Sequence, residues 1–300
     1  LEDITISTLL IIGESGSGKS TSIRNLEPKS TYIINAQNKP LPFKGWAKMF
    51  GKNIFATDRS QKIASLIQQI DKEQPDIKTV IIDDFQAILT NEYMRNSAEK
   101  GFDKFVRLGK GIWDIVTAAN NSRNDLKVVL MAHSDTDING KIKCKTVGKL
   151  VDEKISLEGI CTIVFHSKVI DGKYVFLTQN DGMSIAKSPM GMFETKFIEN
   201  DLDKIIKIID AYYVGEEPDI SKDNAAKQSY LDQISQCEKI NDVIDICKKA
   251  KEEFFTDINF QEILKKSYID RKEALEFFGE TSDQRGLGAE IQNYDDKSGT

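Results

Sequence analysis

The sequence predicts an α/β fold: a mostly parallel sheet flanked by helices, extended by a β-hairpin and followed by a small helical domain. Three observations carry this. Apolar strands and amphipathic helices alternate through the first 135 residues. Continuous apolar runs mean strands buried on both faces, and therefore a parallel sheet covered by helices on each side. The first strand runs directly into a glycine-rich turn, "GESGSGKS". From residue 159 the pattern changes to two strands joined around Asp171-Gly172, a hairpin signal, and later to helices alone.

Taken in order, "TLLIIG" (8–13) is the first buried strand, and "YIIN" (32–35) and "NIFATD" (53–58) are the next two. Over 61–73, Ile63, Leu66, Ile67 and Ile70 fall at i, i+3, i+4 and i+7, one helical face. "TVIIDD" (79–84) and "LKVVLMAH" (126–133) are further strands. Between them Phe102, Phe105, Val106, Ile112, Trp113 and Val116 make a helical stripe. The hairpin occupies 159–179, and a helix over 201–213 turns Leu202, Ile205, Ile206 and Ile209 to one side. The domain reading is a core over 1–213, a Gly-, Pro- and acid-containing linker over 214–225, a small acidic helical domain over 226–279 and a flexible polar tail over 280–300.

Composition narrows the function classes. At 40% hydrophobic and 29% charged, 300 residues can build a sizeable soluble core. The net charge of −6 is uneven: residues 211–300 hold 12 Lys and Arg against 20 Asp and Glu, a net of −8, leaving residues 1–210 at +2. That balance argues against bulk electrostatic nucleic-acid binding and leaves room for local basic loops. Four cysteines without a C-x-x-C pair, and two histidines, argue against a zinc site or a disulfide framework. Reduced thiols, no secretory signal and no apolar run of about 18 residues give the expectation of a cytoplasmic protein without a membrane partner. The chain begins at Leu1, close to the first core strand.

Gly13-Glu14-Ser15-Gly16-Ser17-Gly18-Lys19-Ser20 fits G-x-x-x-x-G-K-[ST] in full, follows a strand and opens a helix. Glycines let successive N–H groups curl around phosphates, and the helix offers its positive end. Lys19 is expected to reach the β/γ-phosphates, Ser20 to ligate Mg²⁺, and Thr21 to cap or pack beside them. Asp83, ending "VII", is the candidate to hold the Mg²⁺ shell. Asp84 either orients the attacking water or only starts the next loop. His133, at the tip of "VVLMA", can touch the γ-phosphate, whereas His166 reads as structural. The segment 134–149 carries Lys141, Lys143, Lys145 and Lys149, either a grip for a single strand's phosphates or a solvated ribbon. A second, weaker basic segment spans 95–110, and neither segment interleaves exposed aromatics, so base stacking is not supported.

The order of these parts, with "INAQNKPLPFKGW", "VVLMAHSDTD", "VGKLVDEKISLEG" and "SIAKSPMGMF", resembles the ATPase core of the RecA family over about residues 8–200. It resembles most the short RecA-core ATPases that bacteriophages encode in DNA replication and recombination clusters, a group associated with promoting or assisting single-strand annealing. The resemblance implies a RecA-like P-loop NTPase core with ATP and Mg²⁺ as cofactors. It also implies Asp83 as the metal-associated aspartate, His133 as γ-phosphate sensor and 134–149 as a mobile DNA-facing loop. Lys187 would reach across an interface to a neighbour's ATP, in a ring or filament. Single-stranded DNA and a phage recombination or replication protein are the implied partners, in the host cytoplasm. Two departures stand out. The family's catalytic glutamate falls at Gln37, which orients water but takes no proton, implying slow or DNA-stimulated hydrolysis. Any N-terminal polymerisation element is expected to be absent or truncated. The rival reading is a nucleotide-dependent binding module with negligible hydrolysis; a small-molecule kinase would need an arginine-rich lid that the sequence lacks.

Overall fold

The computed structural model describes residues 8–147, 155–193, 195–216, 218, 221–255 and 257–277. By its contacts the chain divides into two compact units, Leu1–Asp219 and Ile220–Thr300.

The first unit is built on a sheet of order β3-β2-β4-β5-β1-β7-β8-β9. Its strands are β1 (Thr8–Gly13), β2 (Thr31–Asn35), β3 (Ile54–Ala56), β4 (Thr79–Asp83), β5 (Lys127–Thr136), β7 (Ile163–Ile170), β8 (Lys173–Leu177) and β9 (Phe197–Glu199). Every pairing from β3 to β7 is parallel, and β8 and β9 join antiparallel. The expected α/β class therefore holds. Strand period two sends Leu10, Ile12, Val80 and Ile82 to one face and Leu9, Ile11, Ile81 and Met131 to the other. The first face lies under α2 (Ser60–Glu73), α3 (Phe85–Arg95) and α4 (Asp103–Asn120). The second lies under a short 3-10 helix (Ser20–Asn25) and α6 (Leu202–Val214). The continuous apolar runs are thus explained: both faces of each central strand are covered.

Local chemistry fixes the details. Asp201 caps α6, accepting from the Asp203 and Lys204 amides, and Gly215 closes it at φ 73°. The β7–β8 turn places Asp171 and Gly172 both at positive φ, the conformation a two-residue hairpin requires. Gly111 in α4 has no room for a side chain, since a Cβ there would stand 2.6 Å from Ser60 Oγ.

Several expectations need correction. The phosphate-loop helix is a single six-residue 3-10 segment, so little helix dipole stands behind the loop. The strand expected over 53–58 shrinks to Ile54–Ala56, because it lies at the sheet edge with Phe55 exposed. Phe102, just before α4, and Trp113 within it are 79% and 57% exposed and Val106 is exposed too, while Leu108, Ile112, Ile115 and Val116 are buried. The apolar residues wrap more than one face, and packing uses only part of them. Exposed aromatics do stand in or beside the basic segment 95–110, yet Arg107 pairs with Glu99 and Lys110 with Asp114. The segment 134–149 is a β-ribbon as far as residue 144: β5 runs on past the sheet and pairs antiparallel with β6 (Ile142–Cys144). Asp137 Oδ1 accepts from the Asn139 and Lys141 amides and shapes its turn.

The second unit holds α7 (Ser221–Gln236), α8 (Ile240–Glu253) and α9 (Ile258–Phe277) around Ile234, Val243, Phe254, Phe260 and Leu264. The short α1 (Trp46–Phe50) and α5 (Leu157–Ile160) complete the described elements. The segment 280–300 lies outside the described residues. Among the described residues, no helix is long and apolar enough to cross a membrane.

Candidate functional site

β1 delivers Gly13 between His133 on β5 and Ser167 on β7. The loop that follows, Glu14 to Lys19, turns with Gly16 at φ 77° and Gly18 at φ 99°, conformations suited to glycine. Several carbonyls of this turn are taken by the protein itself. Ser167 Oγ donates to Ser17 O at 2.7 Å, and Asn200 Nδ2 donates to Gly18 O at 3.1 Å. Lys19 Nζ donates to the Gly13 and Glu14 carbonyls, each at 2.8 Å. The amides of Gly16, Gly18 and Lys19 carry none of the loop's own backbone bonds, so an anion would meet N–H groups and one buried ammonium. Burial pulls the Lys19 pKa down, and the Asp84, Asp83 and Glu14 carboxylates oppose that.

Ser20 Oγ donates to Asp83 Oδ1 at 2.8 Å, bringing together two residues 63 positions apart. Burial pushes the Asp83 carboxyl up to about 6, against the Ser20 hydrogen bond. A hydroxyl and a carboxylate are hard oxygen donors. Among the described residues no cluster of three or more His, Cys, Asp or Glu could hold a metal by itself. The pair fits Mg²⁺, which keeps several waters and takes phosphate oxygens to complete its shell.

Asp84 precedes α3 in the left-handed region, at φ 57° and ψ 47°, and its side chain makes no cap hydrogen bond, leaving the carboxylate to other partners. His133 Nε2 lies 3.4 Å from its Oδ1 and Lys39 Nζ 4.0 Å from its Oδ2. Hydrogen bonding to His133, ahead of the Lys39 charge, holds the Asp84 carboxyl below the usual carboxylate range despite partial burial. The neighbouring carboxyls are therefore split, Asp83 upward and Asp84 downward. β5 sits between β1 and β4 in the sheet, and so His133, where β5 leaves its pairing with β1, stands beside both Gly13 and Asp84. His133 O accepts from Lys145 N at 2.8 Å, tying the site to the ribbon.

Asn35 holds a turn: its Nδ2 donates to Lys39 O at 2.6 Å and its Oδ1 accepts from Lys39 N at 3.2 Å. Gln37, exposed beyond this strand tip, shares no hydrogen bond with Lys19, Asp83, Asp84 or His133. It lines a polar groove of about 540 Å³ with Asn38, Thr57, Asp58, Gln86 and Thr90. Thr21 is half-buried in the 3-10 helix. On the ribbon, Lys141, Lys143 and Lys145 alternate with Ile142 and the buried Cys144, so the three share one face. Lys149 lies outside the described residues. The half-buried Lys187 pairs through its backbone with Val164, and its charge acts on Cys161. Val164 pairs with Leu10, three residues before Gly13, which is roughly 10 Å down the strand. His166 is buried in β7, where burial and the Lys168 charge push it down to about 4.

Sequence reasoning missed Lys39, Ser167, Asn200 and Tyr174, whose ring lies on Gly18. Only Asn200 had a nearby signal, the helix cap at Asp201.

A parallel sheet, a glycine loop with a buried lysine, and a hydrogen bond from the first residue of the following 3-10 helix, Ser20, to Asp83 at the end of β4 define a P-loop NTPase. A family model described as an AAA domain matches residues 7–190, more than half of the chain. The chain belongs to this family, and is in general class a P-loop ATPase and a nucleotide binder. No curated protein matches the chain.

Proposed function

We propose that the chain is a RecA-like ATPase that binds ATP with Mg²⁺ and acts on single-stranded DNA in phage recombination or replication. The observation that carries this reading is the connection at His133. Its imidazole meets Asp84 at the phosphate site, and its carbonyl anchors the lysine ribbon at Lys145. Lys19 and the loop amides bind and orient the phosphates. Ser20 and Asp83 would hold a Mg²⁺ ion, which would supply positive charge to the phosphates. Asp84, ionised and fixed by His133 and Lys39, orients the attacking water, the role that Gln37 would otherwise have. Positioning dominates phosphoryl transfer, so an orienting carboxylate or amide serves without strong basicity. Lys141, Lys143 and Lys145 grip phosphates of the strand. Lys187 serves as the contact to a neighbour's nucleotide in a ring or filament.

A second reading has a specific observation behind it. Gln37 is exposed and outside the site's hydrogen bonds, as a nucleotide-dependent binding module with negligible hydrolysis would have it. ATP turnover with and without single-stranded DNA, beside Lys19→Ala, separates the two. DNA-stimulated turnover that vanishes in the variant supports the ATPase. Nucleotide binding without turnover under either condition supports the binding module and overturns the ATPase.

A further inference from the structure

The phosphate loop has two unlike sides. β5 and β7 flank β1 on opposite edges, and Asp83, Asp84 and His133 all stand on the β5 side. A nucleotide whose terminal phosphate meets those groups must send its nucleoside the other way, past Thr21 or over the β7–β8 hairpin. On that side Tyr174 of β8 lies directly on the last glycine of the loop. A Cβ at Gly18 would fall 2.6 to 2.9 Å from Tyr174 Cδ1, Cγ and Cβ. The tyrosine keeps 41% of its surface exposed, and its cross-strand partner Val169 keeps 51%. An aromatic ring fixed to the loop at one edge and open to solvent elsewhere is what an unbound stacking surface requires.

We propose that Tyr174, flanked by Val169, is the platform on which the nucleobase of the bound nucleoside triphosphate stacks. The inference rests on the nucleotide-binding reading above and adds the residue that recognises the base. The bland alternative is that the ring only covers Gly18. The two differ in what they predict for a ligand that has phosphates and no base.

The test is calorimetric titration of ATP and of inorganic tripolyphosphate, each with Mg²⁺, into the full chain and into Tyr174→Ala, Tyr174→Leu and Tyr174→Phe. Leucine keeps an apolar cover on Gly18 and removes the π face. The wild type is expected to bind ATP more tightly than tripolyphosphate. Tyr174→Ala and Tyr174→Leu should each weaken ATP about tenfold and leave tripolyphosphate within about twofold, whereas Tyr174→Phe keeps both. Should Ala disturb the loop itself, the Leu variant decides. The proposal is overturned if Leu weakens both ligands alike, or if ATP binds Ala and Leu as it binds wild type. A wild-type chain that binds neither ligand refutes the nucleotide-binding reading instead.

Discussion

Asn35 ends β2 two residues before Gln37, and the structure gives a reason for an amide at this strand end. Asn35 is buried, stands opposite Asp83 in the β2–β4 register and makes two hydrogen bonds to the Lys39 backbone. These bonds close the turn that carries Lys39 toward Asp84. Asn35→Ala removes both. At about 0.5–1.5 kcal/mol each, the loss is about 1–3 kcal/mol, a shift of roughly 0.5–1 M in the urea midpoint. Turnover should fall as well, because Lys39 no longer helps to fix Asp84. Asn35→Asp places a second buried carboxyl beside Asp83. Burial and the neighbouring charge raise its folded pKa above the unfolded value, so its ionisation opposes folding. Its deficit is therefore small near pH 4 and grows as pH rises through the folded pKa. Urea unfolding of both variants at pH 5 and pH 8 checks this. An Ala variant within about 0.5 kcal/mol of wild type, or an Asp variant with a pH-independent deficit, would refute the reasoning.

Two further predictions concern the frame of the site. Burial tends to raise Asp181, but the Lys168 ammonium and the Ser184 and Met183 amides outweigh it and hold the carboxyl well below its usual range. A depressed folded pKa contributes stability above the unfolded value near 4 that is lost as pH falls; Asp181→Asn should flatten the acid limb of the stability–pH curve below about pH 4.5. Gly111→Ala should destabilise by about 1–2 kcal/mol although alanine favours helices, because its Cβ would meet Ser60 Oγ at 2.6 Å and Cβ at 2.8 Å. Adding Ser60→Gly should recover most of that in a thermal melt, and a single variant as stable as wild type would sink the packing argument.

Much of the fold was legible because its signals are local. Unbroken apolar runs mark β1, β4 and β5, the 3.6-residue period marks α2, and Asp171-Gly172 marks the hairpin turn. Edges and surfaces were not legible, since β3 and the outer face of α4 depend on which neighbours are present. The lysine segment hid its ribbon, because pairing of residues 134–136 with 142–144 is decided between strands.

By itself the sequence determined the α/β class, the phosphate loop and the chemical types around it: a glycine loop, an invested lysine, and carboxylates and a histidine at strand tips. These follow from residue type, period and spacing, which any stretch of chain carries with it. Only the tertiary structure decided which of them meet. Inserting β5 between β1 and β4 brings His133 to Asp84, and folding β7, β8 and the β9–α6 corner over the loop brings Ser167, Tyr174 and Asn200 to it. Strand order is set by how apolar faces pack across the whole domain, and no local pattern encodes it.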